Sequence, residues 1–334
     1  MNESITADTS LPSDQPKNLA REMNRALRPG FEFLEEIAAQ VPRRGGKRRR
    51  SRLLLGLGRL LRVAPAQIIK AALGVELIHL ATLIHDDVID CSRRRRRQPT
   101  LHHLQGAVPA LLYGDLLFAR GISAVNSLRL PELTELLLET VRQLCSGEIL
   151  ESAERWKFDW SEETYLKIVK LKTAALFQYS CRAPGVLAGL SPEKIGILDR
   201  FGLDLGVSFQ IADDCLDFIL SARRSGKDRF ADIRNGVPSL PLIYASRNPA
   251  FSGLLEEIFP GKIGLPQLEK LGACVISTGA VNDSLDEARR YLKRCRETAE
   301  RISRWDNISS PRFLDEYIME QGKALDSLAV SLKE

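Results

Sequence analysis

The stretch ELIHLATLIHDDVID at residues 76–90 ends an apolar run in three carboxylates. Its apolar residues recur with helical spacing, and side chains four residues apart lie on one face of a helix. Asp86 and Asp90 therefore point the same way, about one turn or ~6 Å apart. His79 precedes Asp86 by close to two full turns, so it lines the same face. Two like charges at this spacing repel each other unless a cation lies between them.

A second stretch, FQIADDCLD at residues 209–217, repeats this pattern after another apolar run. One acidic motif alone is equally well explained as the solvated end of a helix. Two such helices facing each other would instead enclose six carboxylates, which is tolerable only when divalent ions and a polyanion fill the space. Oxygen ligands favour Mg²⁺, which is commonly shared with substrate phosphates. The polyanion that fits is a diphosphate.

Composition favours helices and sets limits on the fold. The chain has 334 residues, of which 44% are hydrophobic and only 6% aromatic. This length supports a large core, arranged as one big domain or two small ones. Leu, Ala and Ile are abundant and strand-like alternation is rare, so we predict an all-α fold. The polar first residues, 1–15, are expected to form a disordered tail.

Several classes of protein are disfavoured. The six cysteines lack zinc-site spacing, which indicates reduced thiols in a cytoplasmic protein. No early segment resembles a signal peptide, and no uncharged run approaches the ~20 residues of a membrane span. The net charge of +5 is modest. Basic runs at residues 43–52 and 93–97 lack interleaved aromatic side chains, so nucleic acid is not the expected partner.

Basic segments accompany the acidic ones. Two glycines at 45–46 open a helix beside Lys47 and Arg50, a geometry that suits an anion, although a basic surface loop is the alternative. Five arginines at 93–97 follow the first acidic motif and could grip phosphate oxygens, and the basic loop 223–236 follows the second. The repeated order indicates a metal–diphosphate clamp closed by mobile basic loops. Lys172 interrupts an apolar helix either as a snorkelling side chain or as a phosphate ligand.

Together these motifs resemble the trans-polyprenyl diphosphate synthase family, in order and over nearly the whole chain from about residue 16. The matching motifs are GGKRRR at 45–50, HLATLIHDDVID at 79–90, RRRQPT at 95–100, KT at 172–173, FQIADDCLD at 209–217 and GK at 226–227. The resemblance implies a single domain over residues 16–334. It also implies the isoprenoid synthase fold, an antiparallel helical bundle around a central cavity, which is usually homodimeric.

The resemblance further implies a prenyltransferase that condenses an allylic diphosphate, farnesyl or geranylgeranyl, head to tail with isopentenyl diphosphate and releases pyrophosphate. Three Mg²⁺ ions would be held by Asp86, Asp90 and Asp213, with Asp87, Asp214 and Asp217 as further or supporting ligands. Lys172 and Lys227 would be catalytic together with those aspartates. The allylic diphosphate would contact Arg95, Lys172, Thr173, Gln210 and Lys227, and isopentenyl diphosphate would contact Lys47, Arg50, His79 and Arg96.

Product length has a steric explanation in this family, since a bulky aromatic five residues before the first aspartate enforces short products. The corresponding position here is Ala81. We therefore expect an open tunnel floor and a membrane-soluble product longer than fifteen carbons. The Gly147-Glu148 stretch is likewise similar to the long-chain branch, which includes octaprenyl diphosphate synthases.

Two departures from the family pattern lie after the second motif. Phe230 stands where the GK loop usually has glycine, and Val237 stands where a second lysine is common. They leave open a non-catalytic partner subunit of a heteromeric synthase, although such subunits usually lose the aspartates. A class I terpene cyclase is a weaker alternative, because it would normally replace the second motif with an Asn/Ser/Glu arrangement.

Overall fold

The computed structural model describes residues 14–27, 48–95, 98–157, 159, 161–219, 230–258, 264–306, 308 and 312–332. The predicted tail lies almost wholly outside these ranges. Residues 31–40, for which the sequence predicts a helix that stops before Pro42, lie wholly outside them. The helices of the first half are α1 (Asp14–Ala26), α2 (Arg49–Leu60), α3 (Pro65–Ile89), α4 (Leu101–Gln105), α5 (Ala107–Asn126) and α6 (Pro131–Glu154).

The second half continues with helices, as the all-α prediction requires. They are α7 (Glu162–Val169), a π-helical segment (Lys170–Ala174), α8 (Ala175–Leu187), α9 (Pro192–Ile219), α10 (Ala231–Asn235), α11 (Leu240–Ala245), α12 (Pro249–Ile258), α13 (Leu265–Ser277), α14 (Ala280–Ser303) and α15 (Arg312–Ser331). A two-residue hairpin pairs β1 (Arg94–Arg95) with β2 (Gln98–Pro99). The all-α prediction is confirmed, whereas α10, α12 and this hairpin were not predicted.

Local sequence signals explain where the helices near the acidic motifs begin. Pro65 and Pro131 stand at the first helical positions of α3 and α6, where the missing N–H costs nothing. Ser161 caps α7 as predicted, since its side chain accepts a hydrogen bond from the backbone N–H of Thr164 at 3.0 Å. These signals fix the start of the helices that carry the first motif and its neighbours.

The buried side chains form two clusters that share α2 and α8. One cluster joins α1, α3, α5 and α6, and the other joins α7, α9 and the helices from α11 to α15. Two packed helix pairs dominate, α3 with α5 and α9 with α14. The two acidic motifs end α3 and α9, so each motif is carried by the central helix of its own cluster.

Helices from opposite ends of the chain are in contact. The ring of Phe313 on α15 fills the space over Gly56 of α2, where an added Cβ would come within 2.0 Å of it. Tyr317 donates a hydrogen bond to the carbonyl of Arg49 at 2.8 Å, and Arg49 donates to Gln321 at 2.6 Å. The last described helix therefore fixes the start of α2, beside the predicted anion site.

Two of the described helices, α3 and α5, are long and apolar enough to span a membrane by length and composition alone. The most apolar window of α3 is 61% buried inside the protein, whereas that of α5 is 33% buried. Helix α3 is therefore a core helix, whereas α5 keeps an apolar face that the rest of the described chain does not cover.

The apolar pattern predicts one long helix over residues 165–190, and the π-helical segment interrupts it. This segment contains Lys172 and Thr173. Helix α6 approaches it so closely that a Cβ at Gly147 would lie 2.7 Å from the backbone nitrogen of Lys172. Such one-turn widenings occur often at functional sites. Here the widening and the glycine together bring α6 against Lys172.

We predict that Gly147→Ala lowers the free energy of unfolding by about 1–3 kcal/mol, because the new methyl group overlaps backbone that cannot yield easily. The matched control is Gly196→Ala in α9, where nothing lies within 4 Å of an added Cβ. That control should gain up to about 1 kcal/mol from helix propensity. Chemical denaturation of both variants measures this difference, and equal stability of the two would contradict the close approach.

Candidate active site

Lys172 is the central cation of the site. Its Nζ lies 2.6 Å from a carboxylate oxygen of Glu148 and 2.6 Å from one of Glu151, both on α6. Burial lowers the pKa of this ammonium, but the charges of Glu151, Asp86 and Glu148 outweigh burial, so its pKa is raised overall. The side chain therefore stays protonated among acidic groups. Its two carboxylate partners make Lys172 an ion-paired cation and not a snorkelling side chain, and its role as a phosphate ligand stays a prediction.

The first acidic motif is paired with arginines. Arg95 donates to Asp87 at 2.8 Å, and Arg155 donates to Asp90 at 2.6 Å. Burial raises the pKa of Asp86 to about 7; Lys172 opposes this rise and the charge of Glu148 adds to it. Burial also raises the pKa of Asp87, with Arg95 opposing. The motif thus holds carboxylates that lack enough positive charge.

In the second motif, Asp214 belongs to a chain of hydrogen bonds. It accepts from the Tyr165 hydroxyl at 2.7 Å and from the Gln210 amide at 2.7 Å, while Gln210 accepts from Thr173 at 2.6 Å. Burial raises the pKa of Asp214 to about 7, although both of its donors oppose this effect. Thr173 and Gln210, both predicted to contact the same diphosphate, are thus brought together.

Glu151 connects the two motifs. It pairs with Lys172, lies 3.7 Å from the Arg155 guanidinium that holds Asp90, and its charge raises the pKa of Asp214. The structure therefore places the two acidic helix ends around a common group of charges. Helix α6 supplies this link, and the sequence analysis gave its glutamates no role.

Arg50 and His79, both predicted to contact isopentenyl diphosphate, lie together. A nitrogen of the Arg50 guanidinium is 3.0 Å from His79 Nε2, and the guanidinium stacks over the ring of Phe177 at 4.8 Å. Its Nε is buried and has no hydrogen-bond partner among the described residues. Burial lowers the pKa of Arg50, and the charges of Glu76 and Asp213 oppose this. A buried cation with an unused donor fits an anionic ligand.

The remaining predicted residues divide into three groups. Lys47, Arg96 and Lys227 lie outside the described residues. Asp217 accepts a hydrogen bond from the backbone N–H of Asp232 at 3.1 Å, which ties the second motif to α10. Ala81 is fully buried in the first core cluster.

Phe230, the first departure from the family pattern, has a left-handed backbone with φ of 60°. For a residue other than glycine this costs roughly 1–2 kcal/mol. Its side chain is 3% exposed, and the ring lies 6.0 Å from that of Phe218 and fills the space over Gly272. Burying a phenylalanine contributes about 1.5–3 kcal/mol. Packing therefore offsets the strain, and Phe230 anchors the segment that follows the basic loop.

The donor set suits a hard divalent cation. The acidic groups offer only oxygen ligands, and burial raises the pKa values of two of the carboxylates, Asp86 and Asp214. No three acidic, histidine or cysteine side chains converge as a ready-made metal centre in the part of the chain that the structure describes. Four of the nearby carboxylates are instead paired with basic side chains: Asp87 with Arg95, Asp90 with Arg155, and both α6 glutamates with Lys172. The residues fit cations that would replace some of these contacts.

Comparison with known proteins identifies the family. A family model described as polyprenyl synthetase matches residues 31–263. Heptaprenyl diphosphate synthase component 2 of Geobacillus stearothermophilus is 31% identical over 290 residues, covering 87% of this chain and 90% of that protein. Octaprenyl diphosphate synthase of Escherichia coli is 32% identical over 219 residues, covering 66% of this chain and 68% of that protein.

Solved structures agree with this assignment. A polyprenyl synthase from Caulobacter crescentus superposes with a TM-score of 0.85 at 28% identity, covering 93% of this chain and 94% of that one. The chain therefore belongs to the polyprenyl synthetase family, and it has the all-α isoprenoid synthase fold. It is a prenyltransferase of the medium- to long-chain branch.

We predict that Asp86→Asn becomes progressively more stable than the wild type as pH rises from 4.5 to 8 in EDTA. Because folding raises the pKa of Asp86 to about 7, the wild type loses stability as pH climbs from the unfolded value through the folded one. The asparagine escapes this loss. The advantage in melting temperature should grow by about 2–4 °C over this range.

Scanning fluorimetry across pH measures this difference. The matched control is Glu269→Gln, an exposed carboxylate on α13, whose difference from the wild type should not vary with pH. A constant offset between Asp86→Asn and the wild type at every pH would show that Asp86 is not under-neutralised in the fold.

Proposed function

We propose that this enzyme condenses isopentenyl diphosphate head to tail with an allylic diphosphate, farnesyl or geranylgeranyl, to give an all-trans polyprenyl diphosphate and pyrophosphate. The observation that carries the proposal is the pair of acidic helix ends grouped around Lys172, Glu148 and Glu151. Arg50, whose Nε has no hydrogen-bond partner among the described residues, interacts with the second motif through the charge of Asp213. The acidic helix ends suit a diphosphate that carries metal ions, and the Arg50 guanidinium suits a diphosphate without them.

In this proposal Asp86, Asp90 and Asp213 hold magnesium ions, three per site, and Asp87, Asp214 and Asp217 support them. Bound magnesium would neutralise the leaving diphosphate, so that its carbon–oxygen bond can ionise. The structure supports the placement through the raised pKa values of Asp86 and Asp214 and the shared neighbour Glu151.

The basic residues bind and orient the two substrates. Lys172, Thr173 and Gln210 form one wall and would contact the allylic diphosphate, together with Arg95 and Lys227. Arg50 and His79 would hold isopentenyl diphosphate, together with Lys47 and Arg96, with its double bond facing the allylic carbon. The new carbon–carbon bond forms there, and the released diphosphate takes the proton from the condensed product. No dedicated protein base is required.

Chain growth would proceed into the apolar interior beside α3. Ala81 is small and stands at the position where a bulky aromatic stops chain growth in short-chain enzymes. It lies among buried apolar side chains. We propose a product longer than fifteen carbons that is soluble in membranes.

The direct test supplies purified protein with farnesyl diphosphate, labelled isopentenyl diphosphate and Mg²⁺, and sizes the extracted products by mass spectrometry. We expect a product longer than fifteen carbons. Asp86→Asn and Asp213→Asn should each lower the rate by at least about 10²-fold, since each removes charge that stabilises the transition state. The matched control is Asp283→Asn, an exposed position on α14, which should retain the wild-type rate.

A partner subunit of a heteromeric synthase is the second candidate. Two observations favour it: a relative whose name makes it one component of a heptaprenyl diphosphate synthase, and Val237 at a position where a lysine is common. Absence of product from primers of several lengths, with a correctly folded protein, would favour this candidate over the catalytic one.

We further propose that residues 16–334 act as one domain within a cytoplasmic homodimer. All six cysteines are free thiols, which suits a reducing compartment. Helices α5 and α6 carry exposed apolar side chains: Val108 is 67% exposed, Leu112 63% and Ile149 70%. A second copy covering this face would explain why so apolar a helix as α5 is mostly unburied.

We predict that Leu112→Glu converts the dimer to monomers, because a carboxylate would be buried at the centre of the face. Light scattering after size-exclusion chromatography measures the mass. The control Val330→Glu changes an equally exposed side chain on α15 and should leave the mass unaltered. A wild type that already runs at the mass of one chain would rule out the dimer.

A further inference from the structure

Arg155 follows the last residue of α6, and its guanidinium reaches the last aspartate of the first motif. Its Nη2 lies 2.6 Å from Asp90 Oδ1 and 3.7 Å from Glu151 Oε1. The side chain is 15% exposed, and its Nε is buried without a hydrogen-bond partner among the described residues. A largely buried guanidinium with an unused donor is held there mainly by the charge of its carboxylate partners.

The next residue extends this contact to the other side of the site. Trp156 has a left-handed backbone with φ of 66°, and its N–H donates to the carbonyl of Gly236 at 3.0 Å. Its ring lies over Gly236 so closely that an added Cβ would come within 2.4 Å. Gly236 is itself left-handed, with φ of 61°. Both the conformation and the ring therefore require glycine at 236.

Hydrogen bonds within segment 230–237 connect Gly236 to the second motif. The N–H of Val237 donates to the carbonyl of Asp232 at 2.9 Å, and the N–H of Asp232 donates to the carboxylate of Asp217 at 3.1 Å. A continuous set of contacts therefore joins the last aspartates of the two motifs. In order, its members are Asp90, Arg155, Trp156, Gly236, Asp232 and Asp217.

We propose that Arg155 is a positioning residue that competes with a metal cation for Asp90 and thereby links the first motif to segment 230–237. This inference rests on the proposed function, because it takes Asp90 to be a metal ligand. A guanidinium and a divalent cation bound to the same carboxylate repel each other, so each weakens the binding of the other. When the cation displaces Arg155, the turn that holds Trp156 against Gly236 loses its anchor.

Linkage fixes the sign of the effect. If Arg155 opposes cation binding at Asp90, its removal must strengthen that binding by the same coupling. For a partly exposed ion pair we expect the half-saturating Mg²⁺ concentration of Arg155→Gln to fall roughly three- to tenfold. Arg155→Lys keeps a positive charge beside Asp90 and should remain within about twofold of the wild type.

The experiment is a titration of the full chain with Mg²⁺ in the presence of inorganic pyrophosphate, followed by tryptophan fluorescence. Trp156 is the reporter, so Trp156→Phe should lose the Mg²⁺-dependent change. The matched control is Arg142→Gln, which removes an arginine that pairs with Glu139 on the exposed side of the same helix. Its half-saturation should equal that of the wild type. Melting temperatures in EDTA confirm that each variant is folded.

An unchanged or higher half-saturation in Arg155→Gln, with normal Mg²⁺ binding by the wild type, would overturn the competition and leave the proposed function intact. A full fluorescence response in Trp156→Phe would overturn the link to segment 230–237. A wild type with neither a Mg²⁺ response nor a polyprenyl product would remove the proposed function and this inference together.

Discussion

Buried carboxylates at the ends of two helices must be neutralised, and much of the structure serves that requirement. Leaving an ionised carboxylate in a poorly solvated place is costly unless a cation compensates for it. Arg95, Arg155 and Lys172 supply part of this charge from the chain itself. The compensation is incomplete, since the pKa values of Asp86 and Asp214 remain raised to about 7. A site of this kind favours additional cations and the anions that they carry.

The helical frame determines where those charges lie. Helix α6 presents Glu148 and Glu151 on one face, and Arg155 follows directly after its last residue. Its close approach to the π-helical segment depends on Gly147, and that segment in turn presents Lys172 and Thr173. A helix without the widening would change the direction of these side chains, because one extra residue shifts the helical phase. The local irregularity is therefore part of the site's construction.

Much of this could be predicted from the sequence. The acidic motifs, the glycine-marked basic segment and the Lys172-Thr173 pair have repeated spacings and unusual charges in apolar surroundings, so the fold class and family follow from them. Arg50 with His79, and Thr173 with Gln210, lie together although they are 29 and 37 residues apart in the chain. Apolar spacing also predicts helices over residues 132–154 and 192–221, and the structure has them at Pro131–Glu154 and Pro192–Ile219.

The rest depends on tertiary contacts that leave no pattern in the sequence. The left-handed conformation of Phe230 is stable only because Phe218 and Gly272 shape its pocket. The contact of Arg155 with Asp90 could not be predicted, because it arises only where the end of α6 meets a residue 65 positions earlier in the chain. The π-helical segment has the composition of an ordinary helix. Glu148, Glu151 and Arg155 are spaced i, i+3 and i+7 along the chain. That spacing was the available signal, and it is common on solvated helices as well.

Carboxylates that the chain itself neutralises only in part should bind divalent cations and lose protons when they do. Calorimetric titration with Mn²⁺ at pH 7, in buffers of different ionisation enthalpy, counts the protons released on binding. With the pKa of Asp86 raised to about 7, metal binding should release about half a proton from this group. The release should shrink at pH 8.5 and fall in Asp86→Asn. Binding with no proton release at pH 7, or no binding at all, would contradict the account.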